Sequence, residues 1–341
     1  MRVLVWGAGA IGGTLGAYFA RAGHDVTLVD VVAEHVEVVS QRGLHITGPI
    51  ETFSVRVPAF TPAELAGHWS CVLLCTKAQH TEAALGALLP HLTEDGYVVS
   101  VQNGLNERVL ADAIGEARVV GAFVNFGADY HEPGVVHYGG RGAVVLGELD
   151  GQETPRLREL RDLFLTFDKG AITTSNIWGY LWGKLAYGAM LFATALTDAP
   201  IADALDHPKY RALYIALGSE VLGVAEALNI RPEPFNGFYP QAFLPGTPEE
   251  VSQRSIDEMV AFNRRSAKTH SGIWRDLAVR KRRTEVDPQL GVIVQAGKRV
   301  GVATPLTEGL IALVHEIEAG ARAQGWDALG ALRGAAHLER A

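Results

Sequence analysis

The sequence is poor in cysteine and in unbroken apolar runs. Its 341 residues include two cysteines, Cys71 and Cys75, which lie four positions apart in one apolar, strand-like run. In a strand, that spacing separates their Cα atoms by about 13 Å, too far for a disulfide. We therefore expect two small core residues in a reducing compartment. No segment offers about 20 uninterrupted apolar residues, which argues against a membrane span.

The sequence also lacks an excess of positive charge. It carries 38 acidic and 30 basic side chains, a formal net charge of −8, which does not attract a nucleic-acid backbone. The apolar N-terminal stretch is interrupted at Gly7, so it has no signal-peptide core. These absences predict a cytoplasmic protein whose partner is a small molecule, not a nucleic acid or a membrane. We assign no metal ligand.

The first 170 residues alternate between strand-like and helix-like runs. Apolar and β-branched runs that predict strands occupy residues 2–6, 25–29, 71–75, 97–101 and 119–124. Helical patterns occupy residues 11–22, 81–89, 107–114 and 155–167. This alternation predicts an α/β domain of Rossmann type over residues 1–170, with a doubly wound, mainly parallel sheet covered on both faces.

Two pairs of short runs interrupt this pattern. Residues 44–57 contain two alternating runs around Gly48-Pro49 and predict a hairpin inserted into the doubly wound sheet. Residues 135–138 and 143–146, flanked by glycines, predict a second hairpin at the edge of the same sheet.

From Ile177 onward, strand signals nearly vanish and apolar positions recur at helical spacing. We predict an all-helical second domain over residues 171–330, for substrate binding and dimerisation, and a C-terminal tail over residues 331–341. Residues 231–250 are rich in proline, glycine and aromatics and predict one long loop, interpreted as a lid or a dimer contact.

A glycine-rich turn follows the first predicted strand. Gly7, Gly9 and Gly12 match the G-x-G-x-x-G pattern and open a predicted helix, the context that a dinucleotide-binding turn requires. Gly7 suits the tight turn, Gly9 the close approach of a diphosphate, and Gly12 the close packing of helix on strand. The N–H groups at the helix start, which include those of Ala10 and Ile11, are expected to bind the phosphates. The alternative is a glycine-rich turn of an unrelated α/β fold.

An acidic residue follows the second predicted strand. Asp30 lies 18 positions after Gly12, near the offset of the carboxylate that binds the adenosine ribose. Val31 and Val32 come next and offer no cation to a 2′-phosphate. The pattern therefore predicts NAD as the cofactor, in preference to NADP. The alternative is that Asp30 caps the N-terminus of the next helix.

Five short motifs together resemble a known family. The turn GAGAIG is followed by CTKAQHT after the third predicted sheet strand, VQNG after the fourth, WGKLAYGAM in the helical domain and RRTEVD near its end. In this order they resemble the ketopantoate reductases (2-dehydropantoate 2-reductases) over roughly residues 1–318. The resemblance implies an oxidoreductase that transfers hydride between a nicotinamide and a 2-oxo or 2-hydroxy acid.

Residue roles also follow from the resemblance. Lys184 matches the general acid that protonates the carbonyl oxygen, and its apolar helix would favour proton donation through partial desolvation. Glu285 matches an acidic partner that holds the lysine charged or binds a substrate hydroxyl. Asn103 matches a catalytic asparagine near the nicotinamide and substrate, and Lys77 a lysine bordering the cofactor cleft. The alternatives are solvated side chains at Lys184, Glu285 and Lys77, and a simple Asn-Gly turn at Asn103.

Two positions depart from the family pattern. Ketopantoate reductases carry asparagines four and eight residues after the lysine, on one helix face, where this sequence has Gly188 and Phe192. A site built to hydrogen-bond a substrate hydroxyl discriminates strongly for it. We therefore expect Gly188 and Phe192 to border a different 2-oxo acid or its 2-hydroxy form, with ketopantoate itself as an alternative.

The segment before Glu285 contains further candidate substrate ligands. Ser271 is the nearest match to a family serine that contacts the substrate carboxylate, and His270 beside it is a candidate proton carrier or hydroxyl ligand. Arg275 is the basic residue best suited to hold an anionic substrate. The remaining basic residues, which a solvated helix face explains more simply, are Arg280, Lys281, Arg282 and Arg283.

Two other functions stay open. An opine or 3-hydroxyacid dehydrogenase has a similar two-domain organisation, but an opine-type enzyme works through a His/Asp pair and would not depend on Lys184. A non-catalytic NAD-sensing protein would bind the cofactor without turnover. The resemblance also implies a homodimer formed through the helical domain.

Overall fold

The chain folds into two compact units. The computed structural model of the protein describes residues 1–235, 237–265 and 269–335. The first unit is Met1–Ile177 and the second is Trp178–Ala341. A Rossmann-type sheet occupies the first unit and helices the second, so the predicted fold class is confirmed.

The strands among the described residues all lie in the first unit. They are β1 (Arg2–Trp6), β2 (Asp25–Val29), β3 (Leu44–Thr47), β4 (Phe53–Val55), β5 (Ala59–Phe60), β6 (Trp69–Leu74), β7 (Leu92–Ser100), β8 (Val119–Val124), β9 (Gly127–Glu132), β10 (Val135–Gly140), β11 (Val144–Glu148) and β12 (Ile172–Thr173). The helices up to residue 165 are α1 (Ala10–Arg21), α2 (Ala33–Arg42), α3 (Thr81–Leu88), α4 (Asn106–Ile114) and α5 (Pro155–Leu165).

The helices from residue 177 onward form the second group. They are α6 (Ile177–Thr194), α7 (Ile201–Asp206), α8 (Arg211–Ala227), α9 (Glu249–Arg265), α10 (Gly272–Trp274), α11 (Val292–Val300), α12 (Pro305–Glu318) and α13 (Trp326–Ala335). Two π-helical turns, Arg275–Val279 and Asp287–Gly291, lie between α10 and α11.

The main sheet has eight strands in the order β12-β11-β8-β7-β6-β1-β2-β5. All neighbouring pairs are parallel except β8 with β11. The central strand β1 is buried from Val3 to Trp6, as is typical of a parallel sheet covered on both faces. The carboxyl ends of β1, β6 and β7 therefore share one edge of the sheet.

The two predicted hairpins are placed differently in the structure. The first, β3 with β4, is a hairpin, but it lies in a separate four-stranded sheet, β4-β3-β10-β9, and not in the main sheet. The second prediction is wrong, because β10 pairs with β9 and β3, whereas β11 pairs with β8. The sequence does not predict strand β9, because none of its six residues is fully buried and the run therefore lacks the apolar pattern of a core strand.

Helix α1 packs against strands of both sheets. Small residues allow the close approach: a Cβ atom at Gly16 would lie 2.6 Å from Cδ2 of Leu28 in the main sheet. On the other side, the Tyr18 ring packs edge-on against Tyr138 of β10, with 5.8 Å between the centroids. The helix that follows the glycine turn is therefore fixed by contacts on two sides.

The second unit is built around α6 and α8. A Cβ atom at Gly218 of α8 would lie 2.4 Å from Cε of Met190 in α6, so glycine allows the two helices to approach closely. Within its described residues, this unit forms helices and turns with one isolated bridge, between Phe235 and Phe238. None of the helices in the described residues combines the length and apolar character that crossing a membrane requires.

Two predicted irregular segments contain more structure than expected. Within residues 231–250, a 3-10 helix forms at Pro240–Phe243 and α9 begins at Glu249; Asn236 lies outside the described residues. Helix α13 extends to Ala335, into the predicted tail. Trp326 of this helix stacks on Tyr210 with 5.5 Å between centroids, while residues 336–341 lie outside the described residues.

The two cysteines are free thiols. Cys71 lies in β6 and is 2% exposed. Burial raises the pKa of the Cys71 thiol to about 12, and burial also raises the pKa of Cys75. Both thiols therefore stay protonated at neutral pH, as expected of core residues.

Candidate active site

Three loops meet at the carboxyl ends of β1, β6 and β7. Backbone hydrogen bonds extend the parallel pairing beyond the strand ends, with N–O distances of 2.8 Å for Gly7 to Val29, 2.8 Å for Cys75 to Trp6 and 2.9 Å for Val101 to Leu74. The glycine turn, the CTK loop and the QNG loop therefore lie side by side. Ligands of open parallel sheets bind at this edge.

The three motif glycines are required for different reasons. Gly7 has a φ of +98°, and a Cβ atom there would lie 2.9 Å from the backbone N of Thr76. At Gly12, a Cβ atom would lie 2.0 Å from the carbonyl oxygen of Gly7. At Gly9, by contrast, φ is −71° and a Cβ atom would meet no atom within 4 Å. The protein's own packing explains glycine at positions 7 and 12, whereas glycine at position 9 fits the approach of a ligand.

The start of α1 presents backbone donors beside Gly9. The helix begins at Ala10, and its N-cap, Gly9, has no side chain to bond the first N–H groups. The N–H groups of Ala10, Ile11 and Gly12 belong to the first turn, which has no intrahelical acceptors. Together with the helix dipole they form a surface suited to an anion. The residues present therefore fit the diphosphate of a dinucleotide.

Asp30 is oriented by the glycine turn itself. Its Oδ2 accepts a hydrogen bond from the backbone N–H of Ala8 at 2.9 Å, and its Oδ1 accepts one from Val32 N–H at 3.0 Å. The N-cap of α2 is Val32, so Asp30 is not the cap of this helix. Each carboxylate oxygen keeps a further lone pair, so the group can accept two more hydrogen bonds.

Asn103 and Lys77 are exposed at the same edge. Gly104 has a φ of +98°, so an Asn-Gly turn is present. The side-chain amide of Asn103 nevertheless makes no hydrogen bond to the described residues, while the backbone carbonyl of Asn103 accepts one from Asn106 Nδ2 at 2.7 Å. The turn fixes the backbone, which leaves the Asn103 amide available to a ligand.

Buried Gln102 connects the CTK and QNG loops. Its Nε2 donates to the carbonyl of Thr76 at 3.0 Å and to Oγ1 of Thr81 at 2.8 Å. Lys77 follows Thr76 directly, and Asn103 follows Gln102. The Gln102 amide therefore fixes the distance between the two loops that carry the exposed candidate residues, Lys77 and Asn103.

In the second unit, Lys184 lies in the middle of α6 and is half-buried. Gly188 follows one turn later on the same face. A Cβ atom at Gly188 would have one neighbour within 4 Å, Oε1 of Gln289, at 3.9 Å. There is therefore room beside Lys184. Phe192 is 0% exposed, so the expectation that it borders the substrate is corrected: one turn further along, the helix is covered by the core.

Glu285 is buried, with 6% of its surface exposed, so it is not a solvated helix-surface residue. The adjacent Thr284 is held by Glu318, which accepts hydrogen bonds from the Thr284 N–H at 2.6 Å and from its hydroxyl at 2.7 Å. The backbone carbonyl of Glu285 accepts from the N–H of Gln289 at 3.0 Å. Glu285 and Gln289 thus lie one helical turn apart.

His270 and Ser271 make local structural contacts. The ring nitrogens of His270 lie 2.9 Å from Oγ1 of Thr269 and 3.2 Å from the carbonyl oxygen of Asp198. The Ser271 hydroxyl caps α10 by accepting from Trp274 N–H at 3.1 Å, and Ser271 is 4% exposed. Both ring nitrogens of His270 are therefore engaged within the protein, as is usual for a histidine with a structural role.

The basic cluster divides into two kinds of residue. Arg280 and Arg282 each form a 2.9 Å ion pair with buried Asp276, so they stabilise the π-helical turn that contains it. Arg275 is half-buried, whereas Lys281 and Arg283 are exposed. Arg275 therefore differs from the exposed members of the cluster, as the sequence suggests.

Sequence reasoning missed several side chains that shape these sites. Gln102 lies inside the VQNG motif, so its position offered a signal. His35, whose ring bonds the glycine turn, and Gln289 belong to no motif, and their contacts join distant parts of the chain. Among the described residues, no group of His, Cys, Asp and Glu side chains is arranged to hold a metal ion.

Most of the chain matches known protein families. Residues 3–151 match the family Ketopantoate reductase PanE/ApbA, and residues 176–318 match Ketopantoate reductase PanE/ApbA C terminal. The chain belongs to the ketopantoate reductase family. This confirms the resemblance carried by the five motifs.

Individual relatives agree with this family. The 2-dehydropantoate 2-reductase of Streptococcus pyogenes serotype M6 is 25% identical over 323 residues, 94% of this chain and 98% of that protein. A PanE/ApbA family ketopantoate reductase from Ralstonia eutropha JMP134 is 27% identical, with a TM-score of 0.79, covering 94% of this chain and 99% of that one. D-mandelate dehydrogenase, in its ternary structure with NADH and anilino(oxo)acetate, shares the fold, with a TM-score of 0.82 at 24% identity and coverage of 94% and 99%. Family members are oxidoreductases that act on CH–OH groups.

Proposed function

We propose that the protein is an NAD-dependent oxidoreductase that interconverts a 2-oxo acid and its 2-hydroxy acid, with a substrate other than ketopantoate. One observation carries the cofactor assignment: Asp30 is held 2.9 Å from the N–H of Ala8, directly before Gly9, where the turn has room for a ligand. NADH in the structures of D-mandelate dehydrogenase supports the same assignment.

The first unit would hold the cofactor. The N–H groups of Ala10, Ile11 and Gly12 would bind the diphosphate, and the free lone pairs of Asp30 would accept the two ribose hydroxyls. Asp30 and the valines after it disfavour a 2′-phosphate, since they add a negative charge and no cation. When bound, NADH supplies the hydride, and Lys77 and Asn103 would border the nicotinamide half.

The second unit would supply the proton. The Lys184 ammonium would donate a proton to the carbonyl oxygen of the 2-oxo acid and, in the reverse direction, the neutral amine would accept the proton of the hydroxyl. Buried Glu285 would favour the charged form of the lysine or bind a substrate hydroxyl. Arg275, with Ser271, would hold the substrate carboxylate. His270 stays a weaker candidate, because both of its ring nitrogens have partners.

The substrate would carry a bulky group next to the carbonyl. Room beside Gly188 supports this, as does the binding of anilino(oxo)acetate by D-mandelate dehydrogenase. The test is a panel of 2-oxo and 2-hydroxy acids, pyruvate and ketopantoate included, followed by NADH and NADPH absorbance. Efficient turnover of ketopantoate with NADPH alone would contradict both parts of the proposal.

Substitution of Lys184 tests the proton-transfer role. Lys184→Ala is expected to lower kcat about 100-fold or more, with the Kd for NADH near that of the wild type. The matched control is Lys298→Ala, because the Lys298 side chain is 72% exposed in a surface pair with Glu308. Equal turnover in the two variants would remove Lys184 from the mechanism and favour an opine-type dehydrogenase. Cofactor binding without turnover of any panel member would favour an NAD-sensing protein.

We also propose a homodimer formed through the helical unit. Tyr239, within the segment 231–250, and Val251, directly after it, are 49% and 46% exposed, and a dimer interface would bury apolar side chains of this kind. Sedimentation equilibrium would report twice the chain mass, and a Tyr239→Glu, Val251→Glu double variant would report a monomer. A monomeric wild-type protein would contradict this proposal.

A further inference from the structure

His35 is a buried histidine with a defined proton position. It lies in α2, is 1% exposed, and is not part of any motif. The backbone N–H of Gly134 donates to Nδ1 at 2.9 Å, and Nε2 lies 3.0 Å from the carbonyl oxygen of Ala8. A backbone N–H only donates and a carbonyl only accepts. The imidazole is therefore neutral, with its proton on Nε2.

These two bonds connect the glycine turn to the second sheet. Gly134 lies in the turn between β9 and β10, and Ala8 lies directly before Gly9. The N–H of Ala8 is already held by Asp30 at 2.9 Å. The peptide units on both sides of the Ala8 Cα are thus fixed by side chains, Asp30 on one and His35 on the other. The second of these peptides carries the N–H of Gly9.

We propose that His35 is a positioning residue for the cofactor: by holding the Ala8 carbonyl, it sets the conformation of the peptide leading into Gly9 and so increases the affinity of the turn for the dinucleotide. The inference rests on the proposed function, namely that this turn binds NAD. It adds a role for the second sheet, which holds His35 in place through Gly134.

Neighbouring charges affect this histidine from several elements. Burial lowers the pKa of His35 and outweighs Asp30, directly after β2, and the hydrogen bond to Ala8, both of which favour the charged imidazole. Tyr130 of β9 packs edge-on against the ring, with 5.2 Å between centroids. Burial raises the pKa of the Tyr130 hydroxyl, and the negative charges of Asp30, Glu34 of α2 and Glu132 of β9 raise it further. Protonation would place an Nδ1–H against the Gly134 N–H, which removes one bond and buries a charge.

The binding experiment compares three variants with the wild type. His35→Phe keeps a ring but loses both hydrogen bonds, and we expect it to raise the NADH Kd about tenfold, the effect of losing the one bond that reaches the turn at Ala8. His35→Gln restores a donor toward Ala8 and is expected to recover most of the affinity. Val39→Ala removes a buried side chain from the same helix but leaves both His35 hydrogen bonds in place, and is expected to keep the wild-type Kd while lowering the Tm.

The outcomes separate this inference from the proposed function. A wild-type protein that binds neither NADH nor NADPH would overturn both. If the wild type binds NADH, an unchanged Kd in His35→Phe would overturn the role of His35 alone. A loss of affinity in Val39→Ala equal to that in His35→Phe would do the same. If His35→Phe does not fold, the comparison of His35→Gln with the wild type across pH provides the test.

The pH dependence has a defined sign. The folded pKa of His35 lies below its ordinary value of 6.5, so the neutral ring predominates at pH 6.5 and protonation increases as the pH falls further. The wild-type NADH Kd is expected to rise in that acidic range. The Kd of His35→Gln is expected to rise less, since only His35 differs and Asp30, Glu34, Tyr130 and Glu132 are common to both. Parallel pH profiles would contradict the inference.

Discussion

The carboxylate of Asp30 accepts a hydrogen bond from the backbone N–H of Ala8, with 2.9 Å between Oδ2 and N. This bond joins the end of β2 to the glycine turn that follows β1. A residue proposed to bind the ribose is therefore oriented by the same turn that is proposed to bind the diphosphate. Cofactor choice and the geometry of the turn are coupled through one side chain.

The first prediction concerns cofactor choice. Asp30→Ala combined with Val31→Arg is expected to shift the ratio of kcat/KM for NADPH and NADH toward NADPH by about tenfold or more, since a repelling carboxylate is replaced by a charge-assisted donor. Val31, 78% exposed, tolerates a long side chain. Val31→Arg alone is the control and is expected to have a smaller effect. An unchanged ratio in the double variant would remove Asp30 from the cofactor site.

The second prediction separates the roles of two glycines. Gly9→Ala is expected to keep the wild-type Tm, because its φ of −71° suits alanine and the added Cβ meets no protein atom. It is expected to weaken NADH binding about tenfold or more, by obstructing the diphosphate. Gly12→Ala is expected to lower the Tm instead, because its Cβ would lie 2.0 Å from the carbonyl oxygen of Gly7. Normal NADH affinity in Gly9→Ala would show that nothing binds at this point of the turn.

The third prediction concerns substrate size. Gly188→Leu fills the room beside Lys184 and is expected to lower kcat/KM for bulky 2-oxo acids about tenfold or more, while changing that for pyruvate far less. Gly86→Leu provides a control for a large side chain at an open position of a helix, since a Cβ there meets no atom within 4 Å. An equal loss for large and small substrates would show that Gly188 does not determine substrate size.

The fourth prediction concerns stability. Glu148 is 3% exposed and accepts hydrogen bonds from Arg156 and Thr154. Glu148→Ala removes the carboxylate partner of Arg156 and is expected to lower the free energy of unfolding of the first unit by about 2 kcal/mol, below the cost for a fully buried pair because Arg156 is partly exposed. Asp162→Ala removes the exposed partner of Arg161 and is expected to cost less than about 0.5 kcal/mol. Urea unfolding followed by circular dichroism would compare them, and equal effects would contradict the prediction.

Much of the main sheet was predictable because its signal is local. Strands β1, β2 and β8 have the predicted ends, since each is a short apolar run between turn residues. The second sheet was not predictable in the same way. Val135 of β10 pairs with His45 of β3, and pairing between such distant, partly polar runs depends on packing against α1.

The sequence by itself determined the glycine turn, the acidic residue after β2, the lysine in an apolar helix and the family to which the chain belongs. Those features depend on residue type and on spacing along the chain. Only the tertiary structure decided that His35 holds the Ala8 carbonyl, that Gln289 lies opposite Gly188 and that Phe192 is buried. The physical reason is that these contacts join distant segments, and buried backbone and side-chain groups take whichever partners the packing of the folded chain brings within reach.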